Sequence, residues 1–592
     1  MKSLSGATDM DLGSFEVLEN KVIIRIKDSI CENSEDLLTS RLLKEIVKRS
    51  VKKLIRKNSL LLKIFGPKEP TESIDLLVRT MQFLVKMPGE LVPNVVKGSE
   101  IFFKQKDLFN QFIEYLYNYW RSFDRFILCD STGDTLDKRP YRTFNLTIEH
   151  LTHLIRATYR DLEENLTGDH PRVYRQVAAG AEIATISVPK TISYPEKKYF
   201  KLNAIPVIRQ VLLNPPLILN PPMNKRSGRF EKVTTNPIDH LDINTHDWLG
   251  YPAMVGDLII MVYFHKKFFE LGFSLSNLFE LASDRDLEKS PDAVYLFGVP
   301  DSLMKPYPSP TIFYDDEKNN ILLAAVPRDD EFGYFGYLKK MILTLHNIKV
   351  MKRGKLPFHG AMAKIILKGD KEATILMIGD TAAGKSETLE ALRQLGDAYI
   401  QDMIIIADDM GSMEIDKKGN ILGYGTEIGA FLRLDDLKPG YAFGQMDRAI
   451  IMSPHKVNAR IVLPVTTLEN ILKGYRIDLV LYANNYEEID EERDLIERFS
   501  TYQEALKVFK EGAVMSKGTT SSRGIVHSYF ANIFGPPQYK NIHDKLAEKY
   551  FKAMFDRNIF VGQMRTRLGI PGFEQSGPRE LAEQLLKTLL TL

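Results

Sequence analysis

Residues Gly379-Asp380-Thr381-Ala382-Ala383-Gly384-Lys385-Ser386 match the pattern G-x-x-x-x-G-K-S/T at every fixed position. These residue types at this spacing bind a polyphosphate. Glycine lets backbone N–H groups turn inward around phosphate oxygens. A helix that begins at such a loop adds the positive end of its dipole. Lys385 brings a cation to the β- and γ-phosphates, and Ser386 offers a hydroxyl to Mg²⁺, a hard ion that prefers oxygen ligands. Further along, the apolar run Ile404–Ala407 ends in Asp408-Asp409. Two carboxylates at the end of a buried strand can hold the metal that bridges nucleotide phosphates, or accept a proton.

The flanking residues supply the elements that must position this loop. Ala373–Ile378 is a short apolar run that predicts a buried strand. Ser386 onward predicts a helix with Leu389, Leu392 and Leu395 on one side and Gly396 as its stop. From about residue 250, β-rich runs alternate with helical patterns and turns, the texture of an α/β region of mixed α+β type with substantial sheet. Before that point the patterns are largely helical. Asn214–Asn224 carries four prolines and predicts a connector. The expected organisation is a helical region over 1–213, a substrate-side α/β domain over 214–330 and a nucleotide-binding catalytic domain over 331–592.

Composition narrows the classes. The chain has 592 residues, 44% hydrophobic and 26% charged, as in an ordinary folded protein. Lys and Arg number 79 against 77 Asp and Glu, so net charge gives no reason to expect a nucleic-acid partner. Two cysteines, Cys31 and Cys129, provide neither a disulfide framework nor a thiolate zinc site. No apolar run approaches the ~20 residues needed to span a bilayer. The polar, acidic N-terminus does not read as a signal peptide, so the expected compartment is the cytoplasm, without a membrane partner. One cluster stands out, Lys48, Arg49, Lys52, Lys53, Arg56 and Lys57 on an amphipathic helix. It has the charge to meet a phosphate-bearing surface, but in a chain that is not otherwise basic it reads as a solvated face.

Several segments, in preserved order, resemble the phosphoenolpyruvate carboxykinase family, chiefly its ATP-dependent branch, and the related HPr kinase/phosphorylase family. Tyr334-Phe-Gly-Tyr-Leu-Lys339-Lys340 is similar to the carboxykinase lysine-pair segment. Phe358-His359-Gly360 is similar to its histidine segment. After the phosphate loop and the Asp pair, Thr426-Glu427-Ile-Gly429 through Arg433, Asn458-Ala-Arg460, and Gly518 through Arg523-Gly524-Ile525 follow in the family's sequence. The resemblance covers about residues 320–575 and implies a carboxykinase-like P-loop domain. It further implies that Lys340, His359 and Asp409 ligate Mn²⁺, with Lys339 holding the transferring phosphoryl group or substrate. Lys385 and Ser386 would hold ATP–Mg²⁺, Arg460 would stabilise charge on the phosphoryl group, and Arg523 would contact the nucleotide. In the HPr kinase-like reading, Asp408 or Asp409 would instead serve as the base that takes a hydroxyl proton. The carboxykinase substrate loop has its nearest remnant at Arg226-Ser227-Gly228-Arg229, where Arg226 and Arg229 are candidates for carboxylate binding; Arg172 and Arg175 are rivals.

The implied reaction is oxaloacetate plus ATP giving phosphoenolpyruvate, CO₂ and ADP. The loop's continuation, Lys385-Ser386-Glu387-Thr388, is closer to the HPr kinase form, which keeps open a kinase acting on a protein or metabolite hydroxyl. A non-catalytic ATP-binding regulator is the third reading.

Overall fold

The computed structural model describes residues 14–26, 31–131, 139–170, 177, 179–369, 371–380, 383–395, 399–434, 446–490, 493–516 and 524–591. The chain is mixed α/β and divides into two compact units, Met1–Lys190 with Pro206–Asn214, and Thr191–Ile205 with Pro215–Leu592. A change of unit falls at Asn214–Pro215, where the proline-rich connector was expected. Residues on both sides of 330 belong to one unit. Among the described residues, no helix is long and apolar enough to cross a membrane.

The first unit is richer in sheet than its sequence texture suggested. Ser14–Val17, Lys21–Ile26, Asp124–Asp130, Ile183–Val188 and Val207–Leu213 form adjacent strands, in that order. The Lys21–Ile26 and Asp124–Asp130 pair is parallel. Both runs are dominated by buried Val, Ile, Phe and Leu, the signature of strands covered on both faces. Helices Ser34–Thr39, Arg41–Arg56, Ile74–Leu84, Lys106–Arg121 and Arg139–Thr167 accompany this sheet. Arg41–Arg56 starts where the Ser40 hydroxyl accepts the Leu43 N–H at 3.2 Å. It buries Leu42, Ile46, Val47, Val51 and Leu54, so its cations fall on the opposite side.

Among the described residues the second unit holds three larger sheets and a two-stranded one, Ala513–Ser516 with Gly524–His527. One runs Trp248–Val255, Leu258–His265, Ala293–Val299, Ile321–Pro327, Ile312–Asp316, Glu231–Val233. The helix Phe335–Lys352, buried almost all round, lies against this sheet and against strand Leu356–Leu367 of the next. A helix apolar on every side needs such a double cover. The second sheet contains the phosphate-loop strand Glu372–Ile378, antiparallel to Leu356–Leu367 and parallel to Leu479–Asn484, which is itself parallel to Phe560–Arg565. Its core is apolar, with Ala361, Ile375, Met377, Leu389, Leu481 and Leu585 among the buried residues. The third sheet pairs Gly429–Arg433 with Arg460–Pro464, then Ile450–Met452 and Leu217–Leu219.

Candidate functional site

Three strand ends converge at the phosphate loop. Glu372–Ile378 leads into it and helix Lys385–Leu395 leaves it, as the sequence predicted. The carboxyl ends of the parallel strands Leu479–Asn484 and Phe560–Arg565 lie alongside. The crevice at such strand ends is where α/β sheets bind ligands. Thr566, just past its strand, donates its hydroxyl to the Ala383 carbonyl at 2.8 Å. Gly384 has φ +94°, and a Cβ there would meet the Thr566 side chain at 2.7 Å, so backbone and neighbour both require glycine. Lys385 folds back on its own loop, donating to the Gly379 carbonyl at 2.6 Å and the Asp380 carbonyl at 3.1 Å. Ser386 sits half-buried at the helix start. Thr381, Ala382 and Arg523, and the rivals Arg172 and Arg175, lie outside the described residues.

The Asp408-Asp409 pair owes its position to a break in a strand edge. Along one edge of Leu356–Leu367, residues 362–367 pair with Ile400–Ala407 and residues 356–359 pair with Met410–Met413. Asp408 and Asp409 fill the interruption, where the ladder shifts and the Asp409 carbonyl accepts the Gly360 N–H at 2.9 Å. Irregularities of this kind re-aim side chains. Here the break turns Asp409 towards His359, and the His359 Nε2 stands 2.9 Å from Asp409 Oδ1. The His359 Nδ1 donates to the Ala531 carbonyl, which fixes the ring and leaves Nε2 to face the carboxylate. The carbonyl is aimed by Phe530, Ala531 and Asn532, three successive residues with φ of 45°, 56° and 62°. Left-handed backbone costs a non-glycine residue about 1–2 kcal/mol, so three in a row mark a strained segment packed against His359.

The two lysines separate. Neighbouring helix residues point in different directions, and the two lysines end against different partners. Lys339 reaches Asp409, with Nζ 2.6 Å from Asp409 Oδ2 and 3.8 Å from Glu427 Oε1. The resemblance gave Asp409 to Lys340 and His359 as a ligand set and left Lys339 to the substrate. In the fold the direct partner is Lys339. Lys340 instead lies with its ammonium 5.0 Å from the Phe534 ring centre, and the His359 ring packs on the same phenyl at 5.8 Å.

Burial sharpens the charges. Asp409 would be raised by desolvation, but the Lys339 ammonium and His359 override this and hold it well below the usual carboxylate range. Its side chain keeps 28% exposure, enough to meet a ligand. Asp408 is pushed up to about 6 by burial and by Asp409. Glu427 is pushed up to about 8 by burial, against the opposing pull of Lys339. Neither Glu427 carboxyl oxygen closes a hydrogen bond with a described residue. Burial, then Arg226, lowers Lys340 to about 8, with Asp409 and Asp380 resisting. Lys339 moves the other way, since Asp409 and Glu427 outweigh its desolvation.

Arg460 and Arg226 complete a cationic rim. Arg460 is close enough to Tyr334 to act on its electrostatics, and its guanidinium carbon lies 5.3 Å from the Phe431 ring centre, with Lys339 Nζ at 5.9 Å from the same ring. Arg226 is partly buried, close enough to Tyr334, Tyr337 and Lys340 to act on their electrostatics. It also packs on Phe230 and donates to the Gly228 carbonyl at 2.8 Å. Arg229 does not join it. Its side chain is exposed, and the contact that anchors the residue is its carbonyl accepting the Thr311 hydroxyl at 2.7 Å. Turn geometry explains this, since the residues flanking Gly228, at φ +74°, leave in different directions.

No family model matches the chain, and no curated protein matches it. Among the described residues, no group of three or more His, Cys, Asp and Glu side chains is arranged to hold a metal. His359 and Asp409 form a pair, and a third donor there would have to be an amine. Sequence reasoning gave no role to Glu427, Tyr334, Thr566 or the Phe530–Asn532 turn. Glu427 and Tyr334 lay inside quoted segments. Thr566 and the strained turn carry no local pattern.

Proposed function

We propose that the protein is an ATP-dependent phosphotransferase of the phosphoenolpyruvate carboxykinase type, on a carboxykinase-like P-loop domain. One observation carries the reading. Beside a phosphate loop, Lys339, Lys340, Arg226 and Arg460 gather around the His359–Asp409 pair, so that an anion smaller than a nucleotide has cations to meet next to the triphosphate. A hydroxyl substrate would have no use for Arg226 beside the phosphate loop, whereas a dicarboxylate would.

The loop amides, Lys385 and Ser386 would hold ATP with Mg²⁺. His359 Nε2, the accessible Asp409 carboxylate and Lys340 fit a divalent transition metal such as Mn²⁺. The histidine is oriented by its other nitrogen, and Lys340 loses its proton more readily than an ordinary lysine. Such an ion supplies charge neutralisation at oxygen. Arg226 would bind a carboxylate of oxaloacetate. As its C–C bond breaks and CO₂ leaves, Lys339 and the rim cations would offset the charge of the enolate oxygen. That oxygen then attacks the γ-phosphorus, the bond to ADP breaks, and Arg460 steadies the phosphoryl group in transit. The chain's contribution is alignment and preorganised charge.

The test is a coupled assay with ATP, Mn²⁺ and oxaloacetate. Phosphoenolpyruvate formation that falls on Arg226→Gln supports the proposal, and none formed by the wild-type chain rejects it. The alternative, a kinase acting on a hydroxyl, has one observation in its favour. Asp408, buried at the site and raised to about 6, is suited to take a proton near neutral pH. ATP-dependent labelling of proteins in an extract, with oxaloacetate inert, would select it.

A further inference from the structure

The first unit contains a cationic cleft that the proposed reaction does not use. It has a volume of about 690 Å³ and lies between the turn at Glu19, the helix Arg41–Arg56 and the end of the helix Lys106–Arg121. Arg49, Lys52, Lys53, Arg56 and Lys57 line one wall and Tyr119 another. The five cations fall at intervals of three and four residues, so they share one side of the helix, opposite the buried Val47, Val51 and Leu54.

Only two carboxylates, Glu19 and Glu45, line the same space. Glu45 is engaged by Arg49, with its Oε1 2.8 Å from Arg49 Nε. Lys53 stands 5.0 Å from the Tyr119 ring centre. Lys52, Arg56 and Lys57 make no ion pair among the described residues. Like charges three and four apart on a helix repel. The helix C-terminus accounts for cations in the last turn, Lys53 and Arg56, but not for Arg49 and Lys52 a turn earlier. A solvated face would also be convex, whereas these side chains surround a concavity floored by the buried Phe123 and the Tyr119 ring.

We infer that this cleft binds a small molecule carrying several phosphate groups. The volume lies in the range of small-molecule sites, and the charge calls for an anion of valence three or more. The arginine forks suit phosphate oxygens, and the tyrosine ring offers an apolar wall for the rest of the molecule. The site is separate from the phosphate loop and does not depend on the proposed reaction.

The experiment is calorimetric titration of the full-length chain with inorganic tripolyphosphate, in a Lys385→Ala background that disables the phosphate loop. One site is expected, weakening steeply with added salt. Lys52→Gln with Arg56→Gln should lower the affinity by about tenfold or more. Lys44→Gln, whose ammonium pairs with Asp75 instead, should leave it unchanged. Both positions in the double variant are exposed, and thermal melting checks that the fold is kept. Absence of binding in the Lys385→Ala chain overturns the inference, as does binding indifferent to the double variant. Duplex RNA or phosphoinositide vesicles competing at lower concentration than tripolyphosphate would also overturn it, by assigning the face to a macromolecule.

Discussion

Two regions of this chain concentrate positive charge, and they do so under opposite rules. At the phosphate loop, Lys339 is almost fully buried, held between Asp409 and Glu427. On the helix Arg41–Arg56, Lys52, Arg56 and Lys57 are exposed and make no ion pair among the described residues. Buried charges must be paired, because desolvation costs several kcal/mol per ion, whereas exposed charges are solvated and worth little to the fold. A buried cluster is therefore both structure and site, while an exposed one can serve binding alone. Mutation should separate the two.

The largest effect is expected from Lys339→Met. It would leave Asp409, Asp408 and Glu427 close together in the interior without their shared cation. Removing one partner of a buried pair costs about 3–5 kcal/mol, read as a fall in the urea unfolding midpoint. A loss under about 1 kcal/mol would show that the cluster is better solvated than its burial indicates, and the contrast with the helix would fail.

Lys385→Ala should act the other way round. Its ammonium is held by two carbonyls of its own loop, so stability should fall by only about 1 kcal/mol, well short of the Lys339→Met loss. Phosphoryl transfer should fall about hundredfold or more, as when other preorganised charges are removed from a transition state. Matched loss of stability and activity would mean that the loop lysine is a structural clamp.

The loop was legible in the sequence because its chemistry is local. Eight consecutive residues, a strand before and a helix after were enough. The Asp pair was legible as an acidic strand end, but not as the break in a ladder that turns Asp409 onto His359. Lys339 and Lys340 could be named together, yet not told apart, since that depends on which way the helix Phe335–Lys352 is rotated in its packing. Glu427 lay inside a segment of the resemblance, but nothing there marked its role. An acid in a turn reads as solvated, and only the pairing of Gly429–Arg433 with Arg460–Pro464 and the burial around it reveal a carboxyl beside Lys339. In the first unit, the strands Lys21–Ile26 and Asp124–Asp130 are far apart in sequence and gain strand character from each other. Their intervening helices set the apparent texture.

Glu427 sharpens the comparison through pH. With its folded value pushed to about 8 from an ordinary 4.5, the native state keeps a proton that the unfolded chain releases between those values. Its contribution is present below 4.5 and lost as pH rises towards 8. Glu427→Gln should flatten that decline in unfolding midpoints measured across the range. An unchanged slope would mean that Glu427 is not protonated in the fold. Thr566→Val, which removes the hydroxyl from the Ala383 carbonyl while keeping shape, should cost about 1 kcal/mol and loosen nucleotide binding with it. Stability lost without any change in nucleotide affinity would detach Thr566 from the loop's function.

The smallest expected effect is the most pointed. If the cations of Arg41–Arg56 are held for a ligand rather than for the fold, neutralising them should not destabilise the protein at all. Lys52 and Arg56 are one helical turn apart and repel, so Lys52→Gln, outside the last turn, should change stability by no more than about 0.5 kcal/mol, in the stabilising direction. The gain should shrink as salt screens the repulsion, since a surface interaction is lost beyond a Debye length of ~10 Å at 0.1 M. Thermal melting of the ligand-free chain at low and moderate salt reads both features. A destabilisation above about 1 kcal/mol would assign Lys52 to the architecture. It would then belong with Lys339, and the distinction between charge kept for packing and charge kept for binding would not hold in this molecule.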